Sequence, residues 1–477
     1  SSQVRLNWKH QENEFLDYNN QYLIPHQQST RGPKIAVADV NGDGLDDFYL
    51  CAAAGQSGQL MIQNSSGGFQ TDSIPFNKAR ASEEVDAIFI DANKDGFPDL
   101  YVASGGNEWA NGDSLLSDHF YLNNGKGKFT VHNELIPFLL KNKSCISTAD
   151  IDKDGDADLF VGVLADATQY GSPQSSYLLL NEGSGSFKLA PSGIWRPDSL
   201  GIVTSAVFTD INNDSWPDLV LAGEWMPLTV FINNKGSFAS HPVDGSTGLW
   251  QSLYPADVNG DGFIDILAGN WGHNNKFVAG KNGPLKLYVK DFDKNGSTEQ
   301  VTAYTIDGKE YTFLAKDELE RSLPVLKKAY LNYSDVAGKT VSYMFYDLFN
   351  NYRELKAEQL GSSCFINDGK GNFVRTSLPA QLQMAPLMSF ASMPGNNLQF
   401  ITGGNFYGVV PYEGRYDAQP ISIFRYDAKD KHMQFLQPVT GNDAEVRDLK
   451  WYRGPAGEYR LLVAANNGPL RLYRQKN

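Results

Sequence analysis

The sequence is short of cysteine, of histidine and of positive charge. Its 477 residues include three Cys and seven His, and 41 Lys and Arg stand against 55 Asp and Glu, a formal charge of −14. Cys51, Cys145 and Cys364 are odd in number, far apart and set in or beside apolar strand-like runs. They are expected as small buried hydrophobes rather than as a disulfide framework or a cysteine metal site. The histidines, His10, His26, His119, His132, His241, His273 and His432, show no His-Glu-x-x-His spacing, so the usual zinc-enzyme signature is absent. There is no Gly-x-Ser-x-Gly elbow and no phosphate-cradling glycine loop. Excess carboxylate also argues against nucleic acid as a partner, which calls for clustered Lys and Arg. No run of about 18 apolar residues occurs, so no transmembrane segment is expected. No apolar leader segment follows Ser1 and Ser2, so any export signal is expected either to have been removed or never to have existed.

What is plentiful is glycine, 45 residues, together with 27 Phe, 23 Tyr and 8 Trp. Short apolar runs between turn signals, at 41% hydrophobic content, predict an all-β chain with a large core. One nine-residue pattern then dominates. It reads Asp39, Asn41, Asp43, Gly44, Asp47 and returns as Asp91, Asn93, Asp95, Gly96, Asp99. Further copies are Asp150, Asp152, Asp154, Gly155, Asp158; Asp210, Asn212, Asp214, Ser215, Asp218; and Asp257, Asn259, Asp261, Gly262, Asp265. A looser sixth has Asp291, Asp293, Asn295, Gly296 and Glu299. Oxygens at positions 1, 3, 5 and 9 of a tight loop converge on one hard cation, and an all-oxygen set suits Ca²⁺ better than Mg²⁺. Position 12 is Leu50, Val102, Val161, Leu221 and Ala268, where an EF-hand needs a bidentate Glu, so these are not EF-hands. Five Ca²⁺ sites are expected, with the sixth copy a further candidate.

Spacing supplies the architecture. The first four copies open 52, 59 and 60 residues apart, and each is followed by a second hairpin such as Phe120 to Asn124 before Phe129. Four antiparallel strands repeated in this way predict a propeller blade. The sixth copy comes only 34 residues after the fifth, so it belongs to an insertion, 272–360, of mixed hairpin and helical character within blade five. Helical spacing is expected at Asp317–Leu323 and Val336–Tyr346. Two later blades lack acidic loops, and the last lacks a strand, which the N-terminus around Val4–Trp8 or Glu14–Tyr18 would supply. The expectation is one domain, 1–477, a seven-bladed β-propeller of four-stranded antiparallel blades.

With these loops laid out, the sequence resembles the FG-GAP/VCBS repeat family, the calcium-loop propellers known from integrin α subunits. Longer phrases, Leu23–His26 with Gly32-Pro33, Gly223–Pro227, Gly269–Gly272, Glu413–Asp417 and Glu445–Asp448, resemble a bacterial branch related to cartilage acidic protein. The resemblance implies an extracytoplasmic place, secreted or at the outer membrane or surface of a Gram-negative cell, often through a lipid anchor. The ASPIC/UnbV module of some relatives is not expected here.

Residues just after each second strand should emerge on the face opposite the loops. They are aromatic and polar: Asn107, Glu108, Trp109; Glu224, Trp225; Asn270, Trp271; Asn405, Tyr407. Such rings could stack on sugars or anchor a protein, or simply pack blade on blade. His273 beside Trp271 and Glu224 is the one pairing with catalytic colour. The function expected is a non-catalytic, calcium-stabilised interaction scaffold with a protein partner, the alternative a glycan-binding propeller, and the third a polysaccharide-active enzyme. The charge fits this view: the six loops hold 19 acidic ligands, so the remainder of the chain stands at +5, and six Ca²⁺ would bring −14 to −2.

Overall fold

A computed structural model describes residues 4–195, 200–280, 282–410, 413–439 and 444–474. Among these residues the strands form eight antiparallel sheets, each built on four strands. The first repeat shows the unit: Ile35–Ala38, Asp47–Leu50, Gln59–Gln63 and Phe69–Asp72, hydrogen-bonded in chain order. Ile35 pairs with Leu50 and Ala38 with Asp47, so the acidic nine-mer is the reversal between the first two strands. The second strands that follow the first five acidic loops are buried along their whole length, as at Asp47–Leu50, Asp99–Gly105 and Asp158–Val163. A strand covered by a neighbouring sheet on both faces needs apolar residues throughout rather than alternation, which is why these runs read as continuous.

The first strands pack in a closed order. Ile35–Ala38 lies against Glu83–Ile90, and the series continues through Lys143–Ala149, Ile202–Thr209, Ser252–Ala256, Leu387–Met393 and Val446–Arg453, back to Ile35–Ala38. Apolar clusters fill the gaps between sheets, for example Tyr49 and Leu60 against Leu100 and Tyr121. The closing cluster joins Trp8, Phe48 and Leu50 to Leu462 and Leu472. It exists because Val4–Lys9 pairs with Pro469–Arg474, completing the last sheet from the other end of the chain. Of the two N-terminal candidates, Glu14–Tyr18 does not form this strand; Asp17–Asn19 is a 3-10 turn.

Inner strands leave N–H groups facing the axis, and side chains of the neighbouring sheet accept them. Asp448 takes Ile35 N at 3.0 Å, Asp86 takes Ile146 N at 2.8 Å, Ser147 takes Phe208 N at 3.0 Å and Ser205 takes Leu253 N at 3.0 Å. Tyr254 and Ser389 do the same for Ser392 and Leu449. These bonds stitch adjacent sheets around a polar central channel of about 500 Å³.

The eighth sheet stands outside this series. Leu285–Lys290, Glu299–Ile306, Lys309–Thr312 and Arg353–Ala357 lie between Asp265–Gly269 and its partner Ser363–Asn367. Helices Lys316–Ser322 and Pro324–Ala329 follow the third of these strands. The period expected over Val336–Tyr346 resolves into two short helices, Tyr333–Val336 and Val341–Phe345, parted at Gly338, whose φ of +68° a helix cannot hold.

Candidate functional site

The acidic loops share one geometry. Asp39 Oδ1 accepts from Gly42 N at 2.8 Å and Asp43 N at 3.2 Å, and its Oδ2 accepts from Gly44 N at 2.8 Å. Asp91, Asp150, Asp210 and Asp257 accept from positions 5 and 6 of their own loops at 2.7–3.1 Å. The looser sixth copy adopts the same turn, with Asp291 accepting from Asn295 N at 3.0 Å and Gly296 N at 2.9 Å. Position 6 is left-handed in every copy, and Ser215 holds φ +71° where the others have glycine. Position 4 is left-handed too, through Lys94, Lys153 and Lys294 among others, a requirement the sequence pattern did not signal.

Position 9 ties each loop to the ring. Asp47 is fully buried; its Oδ2 accepts from Val40 N and its Oδ1 from Gln63 N of the third strand. Asp99, Asp158, Asp218 and Asp265 repeat this, pairing with Asn123, Asn181, Asn233 and Asn367. Burial raises these acids, to about 6 for Asp47, Asp99, Asp218 and Asp265, and to about 7 for Asp158 and Glu299. Among the described residues no Lys, Arg or His forms an ion pair with positions 1, 3, 5 or 9. Asp150, Asp152 and Asp158 hold carboxylate oxygens within 4.8 Å of one another, as do Asp291, Asp293 and Glu299. In the other four copies an Asn amide oxygen stands at position 3. A converging, oxygen-only, anionic donor set fits a hard divalent ion; Lys94, beside the third loop, pairs with Asp156 at position 7 rather than with a ligand position.

The third-strand asparagines carry a role that the loop pattern alone does not assign. Asn181 Nδ2 donates to Ala92 O of the preceding loop at 2.9 Å and to Ala157 O of its own loop at 3.4 Å. Asn123, Asn233 and Asn367 bridge the same two carbonyl positions. Their fixed place four residues into each third strand was the available signal. Asn181→Ala strands two carbonyls at a sheet boundary and is expected to cost about 1–3 kcal/mol in urea unfolding.

On the opposite face, where the sequence left stacking, anchoring and packing open, most of these residues lie inside the molecule. Trp225 and Trp271 are buried, at 5% and 0% exposure, as are Glu224, Asn270, Asn107 and Asn405; Glu108, Trp109 and Tyr407 keep partial exposure. What covers them is the chain itself. The segment from His10 to Pro33 crosses this end of the ring, and its Arg31 reaches Glu224 at 2.7 Å and Gln251 at 2.5 Å. His26 stacks 4.3 Å from Trp271 and sits 3.1 Å from Glu224. Tyr170 donates to Glu224 at 2.7 Å and receives Trp225 Nε1 at 2.8 Å. Trp225 takes φ +61°, a strained value for so large a residue, which the surrounding contacts hold in place. Asn107 donates to Asp17, and Asn405 O accepts from Arg447, which also holds Thr30 O. The histidine beside Glu224 is therefore His26; His273 is exposed and hydrogen-bonds through its backbone to Gln383. Neither buried ring presents a face to a sugar. All three cysteines are buried and unpaired, and burial raises their thiols.

Comparison with known proteins agrees with the loops. The model of the FG-GAP-like repeat matches residues 39–102, 91–161 and 210–268. Among solved structures, the Dos1 propeller is similar at 12% identity over 96% of this chain and 97% of its own, with a TM-score of 0.42. BBS1N in complex with ARL6DN is similar at 11% identity over 95% and 94%, TM-score 0.44, and the V. cholerae biofilm matrix protein Bap1 at 11% over 100% and 92%, TM-score 0.40. Residues 39–161 and 210–268 of this chain are FG-GAP-like repeats, carried on a β-propeller.

Proposed function

We propose that this protein is a calcium-stabilised propeller of seven blades that serves outside the cytoplasm as a non-catalytic docking scaffold for another protein at the membrane or cell surface. On this reading the whole chain is one domain and residues 272–360 are an insertion in blade five. The observation that carries the proposal is how the two faces are used. One face is given to acidic loops of a single geometry, and the polar and aromatic residues of the other are engaged by the chain's own N-terminal segment. Weak calcium loops suit the high calcium outside cells, where modules work with affinities of about 10⁻⁴–10⁻³ M. Among the described residues no helix is long and apolar enough to cross a membrane.

We place the partner surface on the insertion, where four large side chains stand out within sixteen residues. Leu331 and Tyr346 are each 80% exposed, Tyr333 55% and Tyr343 51%. Apolar and tyrosine side chains held so far into solvent are typical of surfaces that a protein covers. Crosslinking capture from native membranes should recover one stoichiometric protein, lost with Leu331→Ser and Tyr346→Ser at unchanged melting temperature. Saturable binding on a glycan array without such a protein would favour the lectin reading, and turnover of a polysaccharide would defeat the non-catalytic one.

A further inference from the structure

A buried line of hydrogen bonds joins the acidic loops to one another, ligand to ligand. Asp99 shows one link. Its Oδ2 accepts from Ala92 N of its own loop at 3.2 Å, and its Oδ1 accepts from Asn123 N at 2.8 Å. The Asn123 side chain donates to Val40 O of the first loop at 2.7 Å, and Val40 N donates at 3.1 Å to Asp47, the position-9 acid of that loop. One asparagine and one loop residue therefore connect two ligand carboxylates. The pattern then continues without a break. Asn181 links Asp158 through Ala92 to Asp99, Asn233 links Asp218 through Ile151 to Asp158, and Asn367 links Asp265 through Ile211 to Asp218. The five acids and the four asparagines are all buried.

The same repeats also press on position 3 of the loop before them. Each asparagine holds the peptide that leads into that ligand, since Val40 O shares a peptide unit with Asn41 N. The hairpin turn that follows packs on the ligand itself. The point where a Cβ on Gly127 would fall is 3.7 Å from Asn41 Cβ, that on Gly185 is 3.4 Å from Asn93 Cβ, and that on Gly236 is 3.6 Å from Asp152 Cβ. At the surface, Lys94 of the second loop pairs with Asp156 of the third at 2.6 Å, and Lys153 of the third lies 4.4 Å from the Trp216 ring of the fourth. Such exposed contacts add little by themselves.

We propose that Asn123, Asn181, Asn233 and Asn367 are positioning residues through which the first five loops bind Ca²⁺ cooperatively. The proposal rests on the calcium reading of those loops. An empty loop holds three or four carboxylates that repel one another. An ion gathers them, and with them the position-9 acid and the position-2 residue bonded to it. The asparagine on that residue's carbonyl is then fixed from one side, so the neighbouring loop has less freedom to lose when it orders. The bonded line supplies the contiguous network that such coupling needs. The acidic face then orders as one unit over a narrow range of calcium rather than site by site.

The sixth loop lies off this line. Phe292 N donates to Glu299, but among the described residues no side-chain amide carries Phe292 O to a second loop, so this site should fill independently. Gln63 makes the matching bridge in the first repeat, from Asp46 O to Arg453 O, where the neighbouring turn has no acidic nine-mer. The bridge therefore also serves the fold, and a loss of stability alone does not distinguish the two roles.

Trp216 supplies a readout that does. It stands at position 7 of the fourth loop and beside Lys153 of the third, so the Tb³⁺ emission that Trp216→Phe removes reports these two loops. Asp91→Asn with Asp95→Asn empties the second loop, on the other side of Asn181. In about 0.15 M salt, where charges more than about 8 Å apart are screened, this should raise the Tb³⁺ midpoint of that emission about fivefold or more. Asn181→Ala should raise it too, and the combined variant should shift no further than the larger single effect. Emission at saturation should stay the same throughout, because the ligands of the third and fourth loops are intact. If Asn181→Ala does not fold, the Asp91 and Asp95 variant decides alone. A midpoint unmoved by emptying the second loop overturns the proposal, as do two shifts that simply add. Folded protein with no Trp216-dependent emission would instead remove the metal reading, and the coupling with it.

Discussion

Chelation of divalent cations is expected to lower the melting temperature by on the order of 10 °C, with Ca²⁺ restoring it more fully than Mg²⁺. Each acidic loop draws three or four carboxylates together, and its position-9 acid is buried against backbone donors. Without a cation these charges repel, and burial opposes their ionisation. An ion that binds only the folded loop stabilises it by about 2.7 kcal/mol at a hundredfold excess over its Kd. Five such loops give roughly 13 kcal/mol. At about 2.1 cal/mol/K per residue, a chain of 477 residues shifts by roughly 1 °C per kcal/mol. The preference for Ca²⁺ follows from its tolerance of six to eight irregular oxygen ligands. Loss of loop order would also reach the sheet boundaries, because Asn181 and its counterparts bridge successive loops. A melting curve indifferent to chelator would remove the ion from the account.

Glu224→Gln is expected to cost about 3–5 kcal/mol and to free the N-terminal segment. The carboxylate is wholly buried and receives Arg31, Gln251 and Tyr170, with His26 at 3.1 Å. The amide keeps the volume but leaves the Arg31 guanidinium without its counter-charge. Burial alone would raise this acid; His26 and Arg31 outweigh it and hold the carboxyl well below the usual range. A depressed acid contributes stability above the pKa of the unfolded chain, about 4.5, and that contribution is lost as pH falls toward the folded value. Wild type should therefore lose stability below about pH 4.5 by a component that the variant lacks. Urea unfolding across pH, with proteolysis of residues 11–33, measures both effects. A cost below about 1 kcal/mol with the segment still protected would show that the pair does not anchor it.

The acidic loops were legible because everything they need lies within nine residues. Ligand oxygens, the glycine and the flanking strands are all local, and even the looser copy at Asp291 folds as the others do. The face opposite stayed open to several readings for the converse reason. Arg31 meets Glu224 across 193 residues and Gln251 across 220, separations at which no periodicity operates. Whether Asn107 to Trp109 and Glu224-Trp225 stand open was not legible there, because exposure is decided by what lies on top. The phrase Leu23–His26 was visible, but nothing local says that His26 stacks on Trp271. Over Val336–Tyr346 the apolar period was real, yet Gly338 divides it into two short helices.

The central claim is that the formal charge of −14 belongs to bound metal. Equilibrium dialysis of the chelator-stripped protein against Ca²⁺, read as ions per chain, tests it most directly. The account predicts at least five equivalents, reduced by one when Asp39 and Asp43 are both changed to Asn. A count of none or one, in protein that remains folded, would contradict it.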